Sequence, residues 1–323
     1  MSQKTAIVPG SIPPPARQLS SVLQNLFKIP RAQIPKLLEQ GYVTVNGRIK
    51  RQGFHVLDVG DKIAVDLVPQ PIAAPSAAQK GKSSSRAIDF LYDDDDLTIV
   101  NKPANLLTVP TKHREAHTLL SLVERHLQKQ NQGAKAFCVH RLDRGVSGVL
   151  VIAKSLEMAE ALRNQFAARK PNRKYIALVA GVPAPPSNTL RHYLATDEDL
   201  NRYFVPSEEQ GELAITHYQT RQVWRDAAFL EVRLETGRRN QIRVQLAETG
   251  HPILGDPRYR PRQAEHWAWP HQRLALHAES LGFAHPRTGQ PIQMETAWPQ
   301  EFRDFLRHQK KYLNESENVS RDS

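Results

Sequence analysis

The stretch 138–155, CVHRLDRGVSGVLVIAKS, sets one aspartate, Asp143, between Arg141 and Arg144, three positions after His140 and five before Gly148. Gly145 and Gly148 then give way to the apolar run Val149 to Ala153, which reads as a turn feeding a buried strand. Asp143 is therefore expected on a loop at the edge of a sheet. Taken alone, such a carboxylate is most simply an arginine-paired surface group, because most charged loop residues are solvated. The surrounding chain has to supply a reason for anything more.

Around this stretch the segments alternate in type without a regular strand–helix repeat. AIDFLYDDDDLTIVNKP (87–103) carries strand-like runs on either side of Asp93 to Asp96. Four adjacent carboxylates diverge in direction, so a solvated turn between two strands is expected there, with no chemistry assigned. EAHTLLSLVERHLQK (115–129) and LEMAEALRNQFAARK (156–170) read as amphipathic helices, and RKYIALVAG (173–181) and AAFLEVRLETG (227–237) as strands. The combination predicts an α+β domain and no regular βαβ alternation.

Upstream, PQPIAAPSAAQKGKSSSR (69–86) has nothing to pack and reads as a linker, placed over 69–87. Before it, ARQLSSVLQNLF and IPRAQIPKLLEQ show helical spacing, the second stopping at Gly41. YVTVNGRIK places Asn46-Gly47 between alternating apolar residues, a strong hairpin signal, and HVLDVGDKIAVDL predicts two further short strands around Gly60-Asp61. The expected layout is a tail over 1–16, a small module over 17–68, the linker, a main domain over 88–310 and a tail over 311–323.

The chain has 323 residues, with 44 Lys plus Arg against 33 Asp plus Glu, a formal charge of +11. Such an excess favours a polyanionic partner, nucleic acid first. A single cysteine, Cys138, excludes an internal disulfide framework and a multi-cysteine zinc site, and fits a reducing compartment. With no apolar stretch of signal or membrane-span length, the expectation is a globular cytoplasmic monomer with no membrane partner.

The module over 17–68 resembles the S4 RNA-binding domain through its basic helix (Arg31 to Gln40), its GYVTVNG turn and its late VGDKIAV. The resemblance implies phosphate contacts from Arg31, Lys36, Arg48, Lys50 and Arg51. Five stretches of the main domain, NKPANLLTVP (101–110), HRLDRGVSG (140–148), RKYIALVAG (173–181), LETGRRNQIRVQLAETGHPILGDPRYR (234–260) and RLALHAESLGFAHPRTG (273–289), together resemble the RluA-type pseudouridine synthases. What that likeness implies is a mainly antiparallel central sheet with flanking helices, and isomerisation of a uridine within RNA: the bond from N1 to the sugar is cut and C5 is joined to the same carbon. No metal, nucleotide or redox cofactor is implied. Asp143 matches the family's catalytic aspartate, as nucleophile or as base toward the sugar. Tyr175 matches the tyrosine that stacks on the target base, and Arg243 the arginine that pairs with the carboxylate and keeps it oriented and charged when water is stripped away. Arg141 matches the arginine that fills the gap left by an extruded base; Arg144 and Arg238 are candidate RNA contacts, Arg238 with an equal claim to a structural role. Ribosomal RNA of the large subunit is the favoured target, with transfer RNA as the alternative.

Several positions depart from the family pattern. Val146 stands for threonine, Asn240 and Gln245 for histidine, Asn105 for glycine and Val109 for histidine. They leave open a rival reading as a non-catalytic RNA-binding or ribosome-assembly factor. A glycoside hydrolase lacks a second acid at a convincing position and does not account for the charge. His113 and His117 in HREAH do not match H-E-x-x-H, and Trp267 and Trp269 are expected to pack on their own domain.

Overall fold

The computed structural model describes residues 3–11, 19–30, 33–39, 41–50, 55, 57–66, 88–111 and 113–319, without the side chains of 3, 35, 36, 39, 66 and 310–319. The expected linker, Arg31 and Arg51 lie outside the described residues, as does the side chain of Lys36. The chain divides into two units, Met1–Ser84 and Ser85–Ser323.

The first unit comprises β1 (Gln3–Ile7), α1 (Leu19–Leu26), α2 (Ile34–Glu39), β2 (Val43–Val45), β3 (Arg48–Ile49) and β4 (Lys62–Asp66), with sheet order β1-β4-β2-β3. Asn46 and Gly47 both have positive φ, 51° and 76°, as a hairpin turn matching the strand twist requires. Asn46 Nδ2 donates to Asp61 Oδ1 and its Oδ1 accepts from the Lys62 amide, so one side chain fixes the hairpin to the next strand. Leu19, Leu23, Val43, Ile63 and Val65 are fully buried between helices and sheet. Two expectations are corrected. Residues 3–7, assigned to a tail, pair with β4 along its whole length. Among the described residues only β4 forms a strand around Gly60-Asp61; Asp61 takes the Asp58 amide on its carboxylate and closes a turn there.

The second unit runs β5 (Asp89–Asp93), β6 (Leu97–Lys102), α3 (Leu119–Gln128), β7 (Phe137–Cys138), β8 (Ser147–Ala153), α4 (Leu156–Ala167), β9 (Asn172–Ala180), β10 (Ser187–Thr196), β11 (Arg202–Val205), β12 (Glu212–Val223), β13 (Ala227–Leu234), α5 (Gln241–Glu248), β14 (Leu276–Ala284), β15 (Pro291–Glu295) and α6 (Gln300–Val319). Its sheet is ordered β11-β10-β12-β13-β9-β14-β8-β6-β5, with β15 on β14 and β7 on β8. Every pairing is antiparallel except β8 with β14. This is the expected α+β architecture with a mainly antiparallel sheet. The C-terminal tail is corrected as well, since α6 continues to Val319.

The apolar run after Asp143 is β8, and all seven of its residues are buried. Leu150 and Ile152 face one core cluster while Val149, Val151 and Ala153 face another, which is why the run is continuous and not alternating. Gly148 has φ 122°, and a Cβ there would stand 2.1 Å from the Ala278 carbonyl oxygen. Only glycine lets β8 and β14 approach so closely, and this contact sets the height at which the preceding loop leaves the sheet. The helices start where caps dictate: Thr118 and Ser121 form a capping box on α3, and Ser155 accepts from the Met158 amide on α4.

Asp94 to Asp96 do form the turn between β5 and β6, with Asp93 ending β5, but Asp94 and Asp96 are not simply solvated. Asp94 accepts from the Tyr92 hydroxyl and lies 3.1 Å from His285, while Asp96 takes both a 2.6 and a 2.5 Å bond from Arg287. The charges tie this turn to the one between β14 and β15, a structural role that charge runs do not reveal.

Candidate active site

The Asp143 loop leaves the sheet just before β8 and is clamped from below by the segment after β6. Thr108 Oγ1 donates to the Leu142 carbonyl at 2.8 Å and accepts from the Leu142 amide at 3.2 Å. Lys102, fully buried, donates to the carbonyls of Pro103, Leu106 and Arg144. His140 accepts from the Val151 amide and stacks on Phe166; burial, with Arg173 adding to it, brings its pKa down to about 3, so it is a neutral support and not an acid. Three sequence stretches that look independent are thus one loop support.

The second wall is α5. Residues 241–247 are all buried, although Gln241, Arg243 and Gln245 are polar. Gln241 accepts from Thr236 and the Arg238 amide and donates to the Ile215 carbonyl and Thr216; Gln245 accepts from Thr216 and donates to the Leu190 and Ala214 carbonyls. These bonds fix the rotation of α5 on the sheet, and that rotation carries Arg243 to Asp143.

Arg243 Nη1 donates to Asp143 Oδ2 at 2.8 Å, and its other edge holds Asp256 through bonds of 2.7 and 2.8 Å. Asp256 has no exposed side-chain surface. Nη1 also reaches Asn240 Oδ1, and the guanidinium lies 5.2 Å from the Tyr259 ring centre. Burial works against the Arg243 charge, but the bonds and field of Asp256, then those of Asp143, more than offset it and hold its pKa above the ordinary value. Asp143 Oδ1 has no hydrogen-bond partner among the described residues, so one carboxylate oxygen is held and the other is open.

Asp143 and Arg243 line a cleft of about 360 Å³ together with Tyr175, Arg141, Arg238 and Arg239. Tyr175, on β9, has its ring in the core and lines the cleft; burial pushes its phenol above the ordinary range, with Arg173 opposing and Asp143 adding. Arg141 is exposed at the rim. Arg238 lines the cleft but also pairs with Glu212 at 2.8 Å and donates to the Leu213 carbonyl, so its structural role is realised. Arg144 is not a lining residue; its Nε points to the Asn105 carbonyl. Arg48 and Lys50 belong to the hairpin of the first unit, Arg48 exposed.

The departures have local explanations. Asn240 has φ 53° and Asn105 φ 66°, left-handed backbone that asparagine tolerates better than most residues. Asn240 also donates to the Tyr259 hydroxyl, and Gln245 makes the buried bonds described above. Val146 is core. Motif reading missed Asp256, Lys102 and Gln241; GDPRY and NKP were visible as stretches, but nothing in them showed that the acid meets Arg243 or that the lysine is buried.

Burial brings the Lys102 pKa from 10.5 down to about 7, with Asp143 resisting the fall and Arg273 adding to it. In the unfolded chain a lysine titrates near ~10.4. Between these values the unfolded state binds the extra proton, so the cost of a charged Lys102 is fully present below about pH 7 and is relieved as pH rises toward ~10.4. Thermal melts from neutral to alkaline pH should show the Lys102→Met variant losing stability relative to wild type as pH rises. A constant difference between the two across that window would contradict the buried ammonium.

Residues 96–248 match the family described as RNA pseudouridylate synthase. The ribosomal large subunit pseudouridine synthase D of Zymomonas mobilis is 32% identical over 294 residues, 88% of this chain and 90% of its own. An uncharacterised RNA pseudouridine synthase of Bacillus subtilis is 31% identical over 284 residues, 87% of this chain and 90% of its own. The solved structure of human RNA pseudouridylate synthase domain containing 4 shares the fold, with a TM-score of 0.58 at 22% identity over 69% of this chain and 93% of its own. A carboxylate and arginine meeting in a basic cleft on this sheet, and identity sustained over most of both chains, lead to one statement: the protein belongs to the RluA-type RNA pseudouridine synthases and is an isomerase of uridine in RNA.

Proposed function

We propose that the chain isomerises specific uridines in large-subunit ribosomal RNA to pseudouridine, with Asp143 as the catalytic carboxylate. The observation that carries this reading is the division of labour at Asp143: Oδ2 is fixed by Arg243, while Oδ1 stands open at the cleft beside Tyr175. A held carboxylate with a free oxygen can act on the sugar of an extruded uridine as nucleophile or base. Tyr175 stacks on the base, and Arg141, exposed and without an ion pair among the described residues, fills the space the base leaves in the RNA. Arg144 and Arg238 add contacts to the strand. Ribosomal RNA as target is supported by the Zymomonas mobilis relative, whose name is that of a large-subunit synthase.

The first unit acts in this reading as an S4-like RNA-binding module, presenting Arg48 and Lys50 on its Asn46-Gly47 hairpin to phosphates. The single cysteine fits a reducing compartment and supports the cytoplasm as the site of action. Transcriptome-wide mapping of pseudouridine in cells with and without the gene tests the whole proposal. Loss of one or a few ribosomal sites is the expected result; an unchanged ribosomal map, or loss confined to transfer RNA, removes the assigned target.

A further inference from the structure

Arg173 is enclosed in the wall of the cleft, 6% exposed, and among the described residues its guanidinium forms no ion pair. Nη2 donates to the carbonyls of Leu234 and Glu235, and the group lies over the Phe166 ring, 5.5 Å from its centre. Nε is enclosed with no hydrogen-bond partner. Nη1 has none either among the described residues, and it lies against Gly237, another residue of the cleft wall, so closely that a Cβ there would stand 2.5 Å from it. With Nε enclosed and Nη2 engaged, Nη1 is the part of the charge left for whatever enters the cleft. Burial without an acid is costly for a cation and lowers the pKa of Arg173, with Tyr175 acting the other way.

Its position on the strand decides what it can meet. Arg173 and Tyr175 are two residues apart on β9 and so on the same face, about 7 Å apart along the strand. Lys174, between them, turns to the other face and pairs with Glu279. A flat base stacked on Tyr175 therefore presents an edge to Arg173. A phosphate would have to shed its water to reach a group this enclosed, whereas a base edge arrives with little water to lose.

We propose that Nη1 of Arg173 donates to a carbonyl oxygen of the uracil stacked on Tyr175 and stabilises the negative charge that the base carries while it is detached from the sugar. In either role of Asp143 toward the sugar, breaking N1–C1′ leaves the bonding pair on the uracil. N1, O2 and O4 share that charge until C5 bonds to C1′; C5 then gives up its proton and N1 gains one. A donor fixed beforehand and shielded from water is worth most at such a moment, because nothing has to rearrange when the charge appears. Two backbone carbonyls and the Phe166 ring fix this one. The inference rests on the reading of the cleft as the uridine-isomerising site.

The test compares the full-length wild type with Arg173→Gln and Arg173→Lys under single turnover at saturating RNA. Two transcripts of large-subunit ribosomal RNA are used, one made with uridine and one with 5-fluorouridine, and the C-linked nucleoside is measured after digestion. Fluorine withdraws electrons and makes the detached base less basic, so it leaves with less help. Arg173→Gln should slow conversion of uridine about 10²- to 10³-fold, the loss typical of removing one such donor. Its loss on 5-fluorouridine should be smaller by about tenfold, because a less basic leaving group depends less on the donor. Arg173→Lys keeps the charge and should fall between Arg173→Gln and the wild type. Both rates come from the same sample, so any unfolded fraction cancels in their ratio, and a merely structural role leaves that ratio unchanged. Equal losses on the two bases, no conversion of 5-fluorouridine by the wild type, or Arg173→Lys no better than Arg173→Gln overturns the assignment of Arg173 alone. A wild type that converts neither transcript overturns the reading of the site itself, and the role of Arg173 with it.

Discussion

Asp143→Asn removes pseudouridine formation, by about 10³-fold or more, and leaves RNA binding intact or tighter. The amide keeps the size of the carboxylate and an oxygen to accept from Arg243 Nη1, so the bond at Oδ2 survives in neutral form. What disappears is the carboxylate's negative charge, on which the proposed sugar chemistry depends, and general acid–base contributions of this kind are worth about 10² to 10⁴ in rate. The direction of the binding change separates chemistry from structure. Among the described residues Asp143 is the only acid lining a cleft with six arginines, so removing its charge favours a polyanion. Single-turnover conversion and affinity should be measured on the same purified variant. Wild-type conversion would sink the assignment of Asp143; conversion and binding lost in parallel would show a damaged fold instead.

Arg243→Met should carry the largest cost in stability, about 3 to 5 kcal/mol, together with loss of activity. The reason lies on the side of Arg243 away from the cleft. Asp256 is fully enclosed and receives two bonds from the guanidinium; without them its charge has only the amides of Arg258 and Tyr259. A buried carboxylate stripped of its cation is far more costly than a pair removed together, because the remaining desolvation is uncompensated. Arg243→Met combined with Asp256→Asn should therefore recover much of the stability. Activity should stay lost, since Asp143 still lacks the bond that holds it. Urea titrations of the single and double variants, with turnover on the same samples, decide the matter. Equal stability of single and double variants would mean that Asp256 does not depend on Arg243, and recovered turnover in the double variant would mean that Arg243 acts only as a structural pin.

The altered family positions no longer weigh toward a non-catalytic factor. Gln245 is a satisfied buried amide holding α5, and Asn240 fills a left-handed backbone position while bonding both Arg243 and Tyr259. These residues support the Asp143–Arg243 pair, Asn240 directly and Gln245 through α5.

Sequence alone determined what depends on neighbours along the chain. Two glycines and an unbroken apolar run are enough to place a turn and a buried strand, and an Asn-Gly pair is enough for a hairpin, because backbone dihedral limits and side-chain period act over a few residues. The five-part motif pattern likewise pointed to Asp143, Tyr175 and Arg243, which the fold brings to one cleft. The tertiary structure alone decided the partners and burial of charged groups. Asp143 and Arg243 are 100 positions apart, and Asp96 and Arg287 are 191 apart. Lys102 reads as an ordinary lysine before a proline until the loop carrying Asp143 folds over it, and α5 reads as a polar segment until the sheet accepts its glutamines. Whether a charge is solvated, paired or buried is a property of the contacts that surround it in space, and those are made by segments with no local sign of one another.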